Sequence, residues 1–332
     1  MKSTHKQLLR LFLVLTCLYG IYYSLTIYLA NALMPPAQQS IVFLNDIINK
    51  KIKITPPKTI ILGDSTAAFS YSAKLAPQTL SLAIFSGSFA EIYYAYKKYL
   101  KFYPSPKCIV LSASYNWAYH RDGRFWDIYA VNDFYDLKDL NEIYETSERV
   151  KDFPANNYTK FEFFFKYFIY KLRLQGIHLT DIQDFFKKQT IYKGNQRFYK
   201  LMRENNGSIN KSNAVFPFMW EPHSHINQAF TSAPLYDEYL KRLVNLAVEQ
   251  NTIIHWIQIP VSKQLDTFAG NKHYFDIEKH LKPIILKGNN TFDGKIIFYE
   301  DKYLFSATHL NNAGAKKFTL SRMDLFNKCN EI

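Results

Sequence analysis

Residues 58–69 read KTIILGDSTAAF. The run Thr59–Leu62 is apolar and β-branched without alternation, the pattern of a strand buried on both faces. Gly63 closes it with a residue suited to a tight strand-to-helix turn, and Asp64-Ser65-Thr66 follow. Two more runs of the same kind, LSLAI (80–84) and CIVLSAS (108–114), enclose SFAEIYYAYKKYLKF (88–102), whose apolar residues recur at helical spacing. A second series comes much later. LYDEYLKRLVNLAVEQ (235–250) is an amphipathic helix, TIIHWIQIP (252–260) a strand and 273–287 a helix. KIIFYE (295–300) is a further strand, and a closing helix runs from Asn311 to Phe326. Strands alternating with helices predict an α/β fold with a mainly parallel sheet covered on both faces.

Upstream, Leu11–Leu33 is 23 residues without a charge, long enough at about 1.5 Å per residue to cross a bilayer. Lys2, Lys6 and Arg10 precede it, which places the N-terminus in the cytoplasm and the rest outside. The rival reading is a cleaved signal, since Ala30-Asn31-Ala32 has the small-x-small form; the length of the apolar run favours an uncleaved anchor. Residues 34–57, bounded by Pro35-Pro36 and Pro56-Pro57, read as a linker with a short helical stretch. The exported unit is then 58–120 with 230–332, and 121–229 is an insertion or cap.

Within that insertion, FEFFFKYFIYKLRLQGI (161–177) is too charged for a second span. It reads either as a core helix of the cap or as an interfacial or partner-docking helix. The chain carries 41 Lys+Arg against 28 Asp+Glu, a net +13. With an export signal and no zinc-finger or RNA-binding signature, this excess suits anionic polymer or lipid headgroups and excludes nucleic acid. Three cysteines (Cys17, Cys108 and Cys329) are too few for a disulfide framework and lack zinc-site spacing.

The chemistry rests on two places. Ser65 stands at the end of a buried strand, where α/β folds present reactive groups, although Gly-Asp-Ser alone is equally an ordinary turn. His309, in FSATHLNNAGAKKF (305–318), leads into a helix with Asn311 or Asn312 as its cap. Serine and imidazole together make a nucleophile–base pair. His223-Ser224-His225 alternates like a metal pair but lies among prolines with no third ligand; His120, Arg121 and Asp122 read as a surface turn. His255, inside an apolar strand, reads as a core residue.

With these residues in hand, the chain resembles the SGNH/GDSL hydrolases, and within them the membrane-anchored DltD/AlgJ-like branch associated with MBOAT acyltransferases. The segments that carry the likeness are ILGDSTAAF (61–69), LSLAIFSGSFAEIYYAYKKYL (80–100), CIVLSASYNW (108–117) and FSATHLNNAGAKKFT (305–319), with WIQIPVS (256–262) in support. The resemblance implies a flavodoxin-like three-layer sandwich with about five parallel strands. It implies Ser65 as nucleophile, His309 as base, and an oxyanion hole from the Ser65 N–H, Gly87 and the Asn116 side chain. The family's glycine usually stands one or two positions earlier, where this chain has Phe85 and Ser86. The family's Asp, three residues before the His, is Ser306 here, which leaves Asp301 or Glu300 as substitute acids, or a backbone carbonyl behind a Ser–His dyad. No cofactor or metal is implied. The expected activity is O-acyl transfer, acetyl first and D-alanyl as the narrower variant, onto a cell-surface polysaccharide or polymer with an MBOAT partner. An exported esterase using the same residues, or a catalytically weak scaffold, are the alternatives.

Overall fold

In the computed structural model, residues 2–32, 36–113, 125–130, 132–155, 157–172, 198–209, 233–263 and 271–331 are described. Five strands form one sheet in the order β2-β1-β3-β4-β6, all parallel. They are β1 (Thr59–Gly63), β2 (Thr79–Ser81), β3 (Cys108–Ser112), β4 (Ile253–Ile257) and β6 (Thr291–Asp293). Every residue of β1 and β3 is buried, as their unbroken apolar sequences require. The order reverses direction at β1, so the adjoining C-terminal ends of β1 and β3 lie at a topological switch point, where such sheets place their ligands.

Helices α4 (Phe89–Leu100) and α7 (Pro234–Glu249) pack on each other and on the sheet, and α8 (Asn271–Ile285) continues that layer. Right-handed crossovers put these three on one face. The short α3 (Ser65–Ser70), α9 (Asn312–Ser321) and α10 (Met323–Glu331) build the other. Tyr71 fixes that second layer: its ring meets Phe318 and Phe326, and its hydroxyl bonds Ser112 Oγ at 2.9 Å. The closing helix expected over 311–326 is thus two helices, broken at Arg322.

Three expectations change. The fifth sheet strand is Thr291–Asp293, not 295–300, where Phe298–Tyr299 (β7) pairs with Val261–Ser262 (β5) in a separate two-stranded ladder. Ile296, Ile297 and Phe298 are only half-buried, which suits a rim ladder better than a strand covered on both faces. Residues 36–48 are no free linker. Helix α2 (Pro36–Ile48) buries Ile41, Phe43, Leu44 and Ile47 in the core beside α4. Finally, Cys108 and Cys329 are joined in a disulfide that ties the first residue of β3 to α10. Two cysteines 221 residues apart carry no spacing signature, so the pairing was not readable in sequence.

The described parts of 121–229 make contacts with the sheet-bearing unit. A π-helical turn (Phe125–Ala130) and helices α5 (Leu137–Val150) and α6 (Lys160–Lys171) pack side by side. The Ile209 N–H reaches the Ala68 carbonyl at 2.8 Å, and Ser81 N–H that of Asn206 at 2.8 Å. At the other end, α1 (Lys2–Ala32) contains an apolar window, His5–Ser24. Among the described residues it alone is long and apolar enough to cross a membrane.

Candidate active site

Ser65 is the first residue of α3, immediately beyond β1. The turn needs glycine at 63: its φ is +153°, and a Cβ there would meet the Ser112 carbonyl oxygen of the neighbouring strand at 1.7 Å. Asp64 is wholly buried and caps α3, its Oδ1 accepting from the Thr66 N–H at 2.8 Å and the Thr66 hydroxyl at 2.5 Å. Asp64 thus caps the helix, while the Ser65 hydroxyl faces an imidazole.

The imidazole is that of His309. Its Nε2 lies 2.9 Å from Ser65 Oγ, across 244 residues of sequence. His309 is the first residue of β9 (His309–Leu310), joined to β8 (Leu304–Ser306) by the two-residue turn Ala307-Thr308, with Asn311 capping α9 directly after β9. Nδ1 is 2.8 Å from Ser306 Oγ and 3.3 Å from Thr308 Oγ1. In the tautomer where Nε2 accepts from the serine, Nδ1–H donates to these hydroxyls, and both ring nitrogens are satisfied. The rings of Phe69 and Phe305 stand against the imidazole at 5.2 and 5.7 Å between centroids. Phe85 and Phe198 extend the same aromatic wall from Phe69.

Asp301, the expected substitute acid, is engaged by a serine of β5. Its Oδ1 accepts from Ser262 Oγ at 2.8 Å, and the Ser262 N–H donates to the Ala307 carbonyl at 2.8 Å, within the turn that carries His309. Its action is on the hairpin's position, through β5. The position three residues before the histidine is Ser306, a neutral hydroxyl against Nδ1. Glu300 pairs instead with Lys302 at 2.7 Å.

Gly87 is also reassigned. Its N–H donates to the Ile84 carbonyl at 2.8 Å, closing a four-residue turn, and so is occupied. The corner of that turn is Ser86, whose φ of +60° is the left-handed conformation that glycine adopts most readily. The glycine-like backbone thus falls one residue before the glycine in sequence. Ser65 opens α3, where the first N–H groups of a helix have no partner within it. Asn116, His120, Arg121, Asp122, His223 and His225 lie outside the described residues.

His255, expected in the core, is only half-buried: Nδ1 bonds Thr291 Oγ1 at 2.8 Å on the neighbouring edge strand, and partial burial lowers its pKa. Cys108, Cys329 and His255 do lie within 4.8 Å of one another, but the two sulfurs are bonded to each other rather than available as ligands. Ser262 and Thr308 are the residues that sequence reasoning missed. Thr308 was visible as the neighbour of the histidine; Ser262 carried no signal.

No family model matches the chain, and no curated protein matches it.

Proposed function

We propose that this protein is a membrane-anchored serine O-acyltransferase of SGNH type acting outside the cytoplasm. The observation that carries the reading is the Ser65 Oγ–His309 Nε2 contact of 2.9 Å at the C-terminal edge of β1. His309 takes the proton as Ser65 attacks an acyl carbonyl; the acyl–oxygen ester forms and the donor leaves with that proton. A glycan hydroxyl, deprotonated by the same imidazole, then attacks the ester and releases Ser65. The parallel order β2-β1-β3-β4-β6 supports the SGNH reading, since such sheets present their nucleophile at this edge. The disulfide and the N-terminal apolar helix support an exported location. The N-terminus in the cytoplasm follows from the basic residues before that helix, and an MBOAT protein as acyl source rests on the family resemblance alone.

The aromatic wall of Phe69, Phe305, Phe85 and Phe198 suits the methyl of an acetyl group. A D-alanyl ammonium would have to rest on the same rings. Two observations favour the scaffold alternative instead: a neutral Ser306 behind the base and an occupied Gly87 N–H. One experiment separates them. Full-length protein in detergent is treated with a fluorophosphonate and weighed intact, beside Ser65→Ala and His309→Ala. Labelling of the wild type that both substitutions abolish is the expected outcome. Absence of labelling in folded protein supplied with its partner would make it a scaffold. Acetyl transfer to polysaccharide against release of free acetate then distinguishes transferase from esterase.

A further inference from the structure

Helix α6 is apolar on two opposite sides. Phe163 and Tyr167 face inward and are buried, Phe163 packing against Phe125, Trp126 and Tyr144. On the other side Phe161, Phe165, Phe168 and Leu172 follow at i, i+4, i+7 and i+11, a single stripe along the helix. Their exposures are 77, 55, 53 and 43%. Phe161 and Phe165 stack at 5.9 Å, so the stripe is continuous. Contiguous exposed aromatic surface of this kind marks a place where something docks.

The neighbour of the stripe indicates what covers it. The Tyr19 hydroxyl of α1 donates to the Leu172 carbonyl at 3.3 Å, so the C-terminal end of α6 abuts the helix whose composition suits a bilayer. Around that contact α1 exposes Leu15, Leu18 and Ile21. The two apolar surfaces therefore adjoin. A medium that takes up α1 reaches α6 without a gap, whereas a soluble partner bound to α6 would leave α1 uncovered. Lys160 and Lys171 flank one side of the stripe, as cations do on helices lying in an interface; each also pairs with an acid, Glu145 and Asp133.

We propose that α6 lies in the phospholipid interface beside α1, with Phe161, Phe165, Phe168 and Leu172 among the acyl chains, so that the folded unit is held to the membrane at two points. This rests on the reading of α1 as a membrane helix. The test uses full-length protein reconstituted in phospholipid vesicles with and without nitroxide-labelled acyl chains. An environment-sensitive fluorophore is placed on native Cys17 or, after Cys17→Ser, on Phe165→Cys or on Glu249→Cys at the exposed end of α7. The proposal expects position 165 to be quenched at least about twice as strongly as 249, approaching Cys17. Quenching at Cys17 with 165 no different from 249 overturns it and assigns the stripe to a protein partner. An unquenched Cys17 overturns the membrane reading of α1, and the proposal with it.

Discussion

Ser306 is the residue on which the site's chemical strength depends. Its hydroxyl orients the imidazole at 2.8 Å but brings no negative charge to the imidazolium formed during proton transfer. Ser306→Asp is therefore expected to speed fluorophosphonate labelling at least about tenfold, since loss of the acid from a triad costs far more than that. Ser306→Ala removes one neutral hydrogen bond, about 1 kcal/mol, and should slow labelling only several-fold, with Thr308 at 3.3 Å as a partial replacement. The second-order rate constant of labelling checks both. The two partners of the Ser65–His309 contact, and the serine at position 306, were legible, because Gly63-Asp64-Ser65 and Ser306-Ala307-Thr308-His309 are local patterns. The turn over 84–87 was not, because a serine occupies its left-handed corner and the nearby glycine spends its N–H on closing the turn. Nor was Asp301's attachment to Ser262, which depends on the pairing of two-residue strands far apart in sequence.

Among the elements, α4 shows how a buried acid can serve a helix end. Glu91 accepts from the Ser88 N–H at 2.7 Å and from the Tyr135 hydroxyl at 2.5 Å, completing a capping box inside the core. Burial raises its pKa above the ordinary carboxylate value despite these donors. A carboxyl raised in the folded state contributes stability at acid pH, and that contribution is lost as pH rises through the raised value. Glu91→Gln keeps an acceptor oxygen and removes the titration. Between pH 4 and pH 8 the wild type should therefore lose stability relative to this variant, as read by paired urea titrations. Element type was legible wherever periodicity ran long, as in α4, α7, β1 and β3. It failed at Thr291–Asp293, a short run with no apolar pattern, whose place beside β4 is set by neighbours; Asn290 Oδ1 bonding the Ile254 N–H at 2.8 Å is one of them. It also failed at 36–48, where flanking prolines imply a linker but Ile41, Phe43, Leu44 and Ile47 are core.

For the whole molecule, the Cys108–Cys329 bond is the long-range constraint. It closes a loop of 221 residues, and Cys329→Ser is expected to lower stability by about 2–4 kcal/mol, measured by denaturant titration against the oxidised wild type. Labelling at Ser65 should survive in the variant at temperatures where it remains folded, because neither sulfur touches the Ser65–His309 pair. The same bond carries a consequence for how the chain is made. Cys108 is synthesised 221 residues ahead of its partner, so its thiol must wait, open, while α7, β4 and the histidine hairpin are made. Closure is thus a late event that can occur only once residue 329 has been made and, with export as proposed, has followed across the membrane. Any chain stopped short of that point presents an unpaired thiol on β3, and so is chemically distinguishable from a finished one.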